Sequence, residues 1–132
     1  AILQVLDYNI GVPEMMLIKA ECLARKKDPD ALEILNALRK KRLATDKYAD
    51  LPQVSEDKLL EVVLEERQRE LAFNGVRFFD RKRLAKEGIY TRTLTRQFGE
   101  TVYTLEPNSN RYMFPVAEKV RLLNNNIVQN PR

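Results

Sequence analysis

Glu65-Glu66-Arg67-Gln68-Arg69-Glu70-Leu71 sets six polar residues in a row, followed by Phe73, Gly75, Arg77, Asp80 and Arg83. Upstream, Ser55 offers an N-cap, and Glu56 and Asp57 suit the positive end of a helix dipole. Leu60, Val63, Leu64 and Leu71 then recur on one side, which predicts a long helix from Glu56 to Phe73. Arg67 falls on that same side. A guanidinium on an apolar stripe needs a partner, because an unpaired buried charge is heavily penalised. Helical spacing places Glu66 and Glu70 one turn apart on one face, with Arg67 beside them. Asn74-Gly75 fits a left-handed helix end, after which Val76, Phe79, Asp80, Arg83 and Leu84 carry a shorter helix toward Gly88. The expectation is a structural ion-pair network of Glu66, Arg67, Glu70, Arg77, Asp80 and Arg83. It would lock the long helix to the next one, with Phe73 and Phe79 covering it.

The same carboxylates have a catalytic reading. Two carboxyl groups roughly 5 to 9.5 Å apart are what glycoside hydrolysis requires, and an i, i+4 pair can approach the lower limit. A general acid needs a raised pKa, however, and Arg67, Arg69 and Arg77 would hold neighbouring carboxylates ionised. No residue is expected to be catalytic.

Toward the N-terminus, Gly11-Val12-Pro13 and Glu14 signal a helix start, and a helix follows from Glu14 to about Lys27. Met15, Met16, Leu17, Ile18, Ala20, Cys22, Leu23 and Ala24 wrap more than half of it, which predicts packing on two sides. Asp28-Pro29-Asp30 breaks and restarts the pattern. A second helix from Asp30 to about Ala44 carries Ala31, Ile34, Leu35 and Leu38, and Ala31 and Ala37 are small enough for a close neighbour. The polar stretch from Thr45 to Val54, with Pro52, is a connection.

Toward the C-terminus the composition shifts. Five Thr lie between Tyr90 and Thr104, with Leu94, Phe98, Val102 and Tyr103 around Gly99-Glu100, which favours a hairpin. Pro107-Asn108-Ser109-Asn110 is a turn, Tyr112 to Val116 is extended through Pro115, and Ala117 to Leu123 forms a short helix. The fold class is therefore mainly α: tetratricopeptide-like antiparallel helix pairs over residues 14–44 and 56–87, then an extended or hairpin segment over 90–132. The whole chain, 1–132, reads as a single unit.

Composition narrows the function. In 132 residues, 44% are apolar and 32% charged, with a mean hydropathy of -0.45, so the chain is neither collagen-like nor compositionally disordered. Charges interrupt every apolar run well short of the roughly 18 residues that span a bilayer. Histidine is absent and Cys22 is the only cysteine, which removes His-dependent triads, internal disulfides and Cys-based metal sites. There is no Gly-rich phosphate loop and no EF-hand spacing, so no cofactor is expected. The net charge of +4 is a mild basic excess. Ala1 to Ile10 lacks the features of a secretory signal, and the first residue is Ala rather than Met, so an upstream segment is expected to be missing.

Three further features have two readings each. Arg39-Lys40-Lys41-Arg42 is either a phosphate-binding face or, with no aromatic interleaved, the ordinary cationic end of a helix. Cys22, in the most apolar helix, reads as a buried, inert thiol. Tyr90, Phe98, Tyr103, Tyr112 and Phe114 can stack on sugar rings or fill a core, and core is the default.

The order Glu66-Arg67, Glu70-Leu71, Phe73, Gly75, Arg77, Phe79-Asp80, Arg83 resembles the C-terminal signature of the SusD/RagB family, which runs ER, EL, F, EG, R, D, R. Asn74 stands where the usual Glu precedes Gly75. Upstream, the Glu14 to Ala24 helix with Ala20-Glu21, and then Ala31, Asn36 and Arg39, resemble the family's preceding helix pair. Downstream, Tyr112, Pro115, Glu118 and Gln129-Asn130-Pro131 resemble its closing segment.

The resemblance implies a glycan- or nutrient-binding component of an outer-membrane uptake system, not an enzyme. Such proteins are surface-exposed lipoproteins that cap a SusC-like, TonB-dependent transporter and bind oligo- or polysaccharide. They are several times longer than this chain, so it resembles their C-terminal part, with the lipid anchor and most glycan contacts outside it. The segment's role is then architectural, and no nucleic acid is expected. The alternative from another class is a free-standing helical-repeat adaptor for a protein or nucleic acid.

Overall fold

Ala20 of the first helix and Ala31 of the second are both fully buried. The computed structural model describes residues 10–131, so most of the Ala1 to Ile10 stretch lies outside it. The chain divides into two units, one ending at Phe73 and the other beginning at Asn74.

The first unit contains α1 (Val12–Arg25), α2 (Asp30–Arg39) and α3 (Glu56–Glu70), each packed on the other two. Gly11 is extended at the start of α1 and Pro13 sits in its first turn, where a missing N–H costs nothing. The helix closes with the Asp28 and Lys27 amides donating to the Leu23 and Ala24 carbonyls, at 3.0 Å each. That closure puts Lys27 at φ 61°, a left-handed position glycine usually fills. Asp28 Oδ1 then accepts the Asp30 amide at 3.0 Å, so the expected restart at Asp28-Pro29-Asp30 is what starts α2. Four residues separate the two helices, which therefore run antiparallel.

The core of this unit is Leu17, Ala20 and Ala24 from α1, Ala31, Leu32, Leu35 and Leu38 from α2, and Leu59, Val63 and Leu64 from α3. Three sequence expectations are corrected here. Helix α1 buries one stripe, Leu17, Ala20, Glu21 and Ala24, so Met15 and Ile18 stay exposed and the helix is not covered on two sides within the described residues. Ala37 lies opposite the stripe of Ala31, Leu35 and Leu38 and is exposed. Ser55 begins α3 with extended backbone, but its side chain makes no capping bond.

The second unit contains α4 (Val76–Ala85), an antiparallel hairpin of β1 (Leu94–Phe98) and β2 (Thr101–Leu105), a single 3-10 turn at Asn110–Tyr112, and α5 (Glu118–Leu123). The mainly helical class with a small C-terminal hairpin is thus the fold observed. Gly75 at φ 76° opens α4. Gly88 at φ 77° closes it, with the Ile89 amide donating to the Leu84 carbonyl at 3.0 Å. The hairpin pairs Leu94 with Leu105, Arg96 with Tyr103 and Phe98 with Thr101, around the expected Gly99-Glu100 turn. Gly99 at φ 60°, followed by a residue of negative φ, has the handedness that matches strand twist.

Side-chain amides fasten the end of the chain. Gln129 both accepts the Val116 amide at 2.8 Å and donates to the Val116 carbonyl at 3.0 Å, as a neighbouring strand would. Asn130 Nδ2 donates to the Phe114 carbonyl at 2.7 Å. Gln129-Asn130 is therefore a clamp on the segment leading into α5. No helix among the described residues is long and apolar enough to cross a membrane.

Leu35 is fully buried in the core of the first unit. Leu35→Ala should cost roughly 2–5 kcal/mol, read as a lower urea midpoint with an unchanged denaturant slope.

Candidate functional site

On α3 the residues Leu59, Val63, Glu66 and Arg67 follow one another at helical spacing and are all buried, so two charges lie at the end of an apolar stripe. Each has a partner. Arg67 Nη2 lies 3.4 Å from Glu14 Oε1 on α1, which supplies the partner that its place on the stripe demands. Glu66 Oε2 accepts from Arg39 Nη1 on α2 at 3.1 Å and from Arg69 Nη1 at 2.9 Å. One turn later Glu70 takes Arg42 in a fork, Nη2 at 2.8 Å and Nε at 3.0 Å from the same oxygen. That carboxylate raises the Arg42 pKa by its hydrogen bond and its charge. A second exposed pair, Lys27 with Asp57 at 2.8 Å, ties the α1–α2 turn to the start of α3. Each holds the other charged, so the Lys27 pKa is raised and the Asp57 pKa lowered.

The basic run straddles the end of α2, which stops at Arg39 and not at the expected Ala44. Arg39 and Arg42, three apart, turn toward α3, while Lys40 and Lys41 face solvent. Both carboxylates of the candidate pair, Glu66 and Glu70, are taken up by guanidinium groups. Glu14, Arg39 and Arg42 are thus partners that no local spacing rule could identify, since they lie 27 to 53 residues away in sequence.

The other three residues of the expected network lie on α4. Asp80 and Arg83 pair one turn apart, Nε to Oδ1 at 2.9 Å, and Asp80 is buried. Arg77 instead stands over the Tyr90 ring, its guanidinium carbon 5.6 Å from the centroid. Arg81, not singled out in the sequence, is the buried guanidinium of this unit. It lies 5.6 Å from the same ring, donates through Nε to Tyr112 Oη at 3.2 Å and through Nη2 to the Arg92 carbonyl at 2.7 Å. One side chain thereby fixes the 3-10 turn and the entry to β1.

Phe73 and Phe79, expected to cover the network, are exposed. Phe73 sits at φ 68° in the turn, and Phe78 takes the inner position instead, packed against Tyr112 and Phe114 at 5.1 and 5.2 Å. Of the five aromatics read as core by default, Tyr112 is buried and Tyr90 half-buried, but Phe98, Tyr103 and Phe114 are exposed. Cys22 is also exposed: it lies on the far side of α1 from Leu17, Ala20 and Ala24.

Two concavities open on the second unit. One of about 340 Å³ is lined by Leu94, Arg96, Tyr103, Thr104, Leu105 and Arg111. The other, about 270 Å³, includes Lys82, Lys86, Asn108 and Ser109. Cations line both and carboxylates neither. From Asn74 onward the sequence has eleven Lys and Arg against five Asp and Glu, whereas up to Phe73 it has twelve against fourteen.

The strongest charged groups of the first unit hold its helices together, and the second unit carries open concavities. The chain belongs to the SusD family, whose model matches residues 12–132. That is a family of nutrient- and glycan-binding outer-membrane components, typically lipoproteins, and not one of enzymes. Among curated proteins and among solved structures, nothing matches the chain.

Two outcomes are expected from these contacts. Glu66→Ala strands Arg39 and should cost about 2–4 kcal/mol, between the values of exposed and fully buried pairs. Glu65→Ala, whose side chain is 56% exposed, should cost less than about 1 kcal/mol in the same urea titration. The Cys22 thiol should titrate completely with Ellman's reagent in native buffer; a thiol that reacts only in denaturant would contradict its placement.

Proposed function

We propose that this chain is the closing, mainly architectural part of a larger SusD-like domain that binds glycan at the cell surface and passes it to a SusC-like, TonB-dependent transporter. The observation that carries this reading is the match of residues 12–132 to the SusD family. The geometry supports it: Glu66, Arg67 and Glu70 are engaged in joining α3 to the helices before it. Arg81 and Arg77 reach from α4 to the segments that follow, and Asp80 pairs with Arg83 along the helix itself. In this account Glu66, Arg67, Glu70, Arg77, Asp80 and Arg83 are a structural network and none of them touches a reacting bond.

The protein carrying this sequence should be recovered from outer membranes together with a TonB-dependent transporter. It should bind an oligosaccharide, and bind it more tightly than a nucleic acid at the same salt concentration. Recovery with the cytosol, with nucleic-acid binding that weakens steeply with salt, would replace this reading by the adaptor.

A further inference from the structure

The 340 Å³ concavity on the hairpin has a composition that the architectural role leaves unused. Leu94, Arg96 and Phe98 alternate along β1 and share a face, opposite Leu105, Tyr103 and Thr101 of β2. That face is not covered: Tyr103 is 53% exposed and Phe98 82%. An aromatic ring and two leucines on an open sheet face form an apolar platform, the kind of surface on which the C–H face of a sugar ring rests.

The polar groups at its edge are all cationic or neutral. Among the described residues, the Arg96 side chain makes no hydrogen bond or ion pair, although it projects from the same face as Tyr103. Arg111 donates through Nη1 to the Thr104 carbonyl at 3.2 Å, which holds its guanidinium against β2 and leaves further N–H donors. Of the carboxylates nearest in sequence, Glu100 lies in the hairpin turn and Glu106 accepts from the Thr93 hydroxyl, and neither is among the lining residues. A guanidinium fork without a partner, beside an apolar platform, matches a ligand with a planar carboxylate on a ring. The volume is at the low end for small-molecule sites, which fits one sugar residue at a time.

We infer that the hairpin face of Leu94, Arg96, Tyr103, Leu105 and Arg111 is a subsite for an anionic saccharide, a uronic-acid residue of an oligosaccharide. This assignment rests on the nutrient-binding reading and names a ligand class for it. Arg96 binds the carboxylate, Arg111 supplies the second donor group, and Tyr103 stacks on the ring.

The test is calorimetric titration of the whole protein that carries this sequence with oligogalacturonate and with its methyl ester, which keeps the ring and loses the charge. The acid should bind at least about tenfold more tightly than the ester. Arg96→Gln should lower the acid's affinity about tenfold and leave the ester's unchanged. Arg121→Gln, which removes an exposed charge from α5, should leave both affinities unchanged. Equal affinity for acid and ester, an unaltered Arg96→Gln variant, or an equal loss in Arg121→Gln would overturn the subsite. So would no binding of the acid, or a tetraglutamate peptide that binds as tightly as the sugar. None of these results bears on recovery with the transporter, so the subsite and the nutrient-binding reading fail separately.

Discussion

A carboxylate and a guanidinium side by side at the end of one apolar stripe constrain everything around them. Glu66 and Arg67 are each about 7% exposed, so both charges have given up most of their water. Neither is stable there alone, because a buried ion without a partner costs several kcal/mol. Being adjacent on the helix, they point in different directions, Arg67 to Glu14 on α1 and Glu66 to Arg39 on α2. One point on α3 therefore sets the position of two other helices, while Leu17, Leu35 and Val63 supply the apolar burial. Apolar contact is non-directional and tolerates small slides between helices, whereas a paired charge does not.

The second unit solves the same problem with fewer apolar residues. Arg81 joins a ring and a backbone carbonyl of the loop before β1 to a phenol oxygen of the 3-10 turn, and Gln129 gives Val116 the hydrogen bonds a neighbouring strand would. With so much of the backbone in turns and short elements, side-chain donors and acceptors have to satisfy it. The hairpin is the exception. It is exposed on both faces, and its Arg96–Tyr103 side is where the unit's excess of basic residues meets an apolar platform.

Much of this was legible locally. The Asp28-Pro29-Asp30 restart, the Gly88 helix end and the Gly99-Glu100 turn follow from backbone chemistry over a few residues, and each appears where that chemistry puts it, whereas Gly75 is left-handed but opens α4, the long helix having stopped at Glu70 instead of Phe73. The need for a partner to Arg67 was also legible, since its place on the stripe follows from helical period. The identity of that partner was not: Glu14 is 53 residues away, and only the packing of α1 on α3 brings it near. Rotation about a helix axis was the other weak point. On α4, where both Phe78 and Phe79 are apolar and four of ten residues are Arg or Lys, the periodic pattern does not say which side faces in. Reading Phe79 and Arg83 as the inner residues hid Phe78 and Arg81, which make the contacts to Tyr112. Cys22 and Ala37 failed for a similar reason, because a small or apolar residue was assigned to a face from its type instead of its angle.

The claim that charged groups on α3 set the arrangement of the first three helices is tested most directly by a double-mutant cycle on Arg39 and Glu66. The two are 3.1 Å apart on different helices, and removing both leaves no stranded partner within the pair. The account predicts that Arg39→Ala with Glu66→Ala is less destabilising than the sum of the single changes, with a coupling of about 1–3 kcal/mol in urea unfolding. Additivity within about 0.5 kcal/mol would show that the two residues do not act on each other, and that apolar packing alone sets the helices in place.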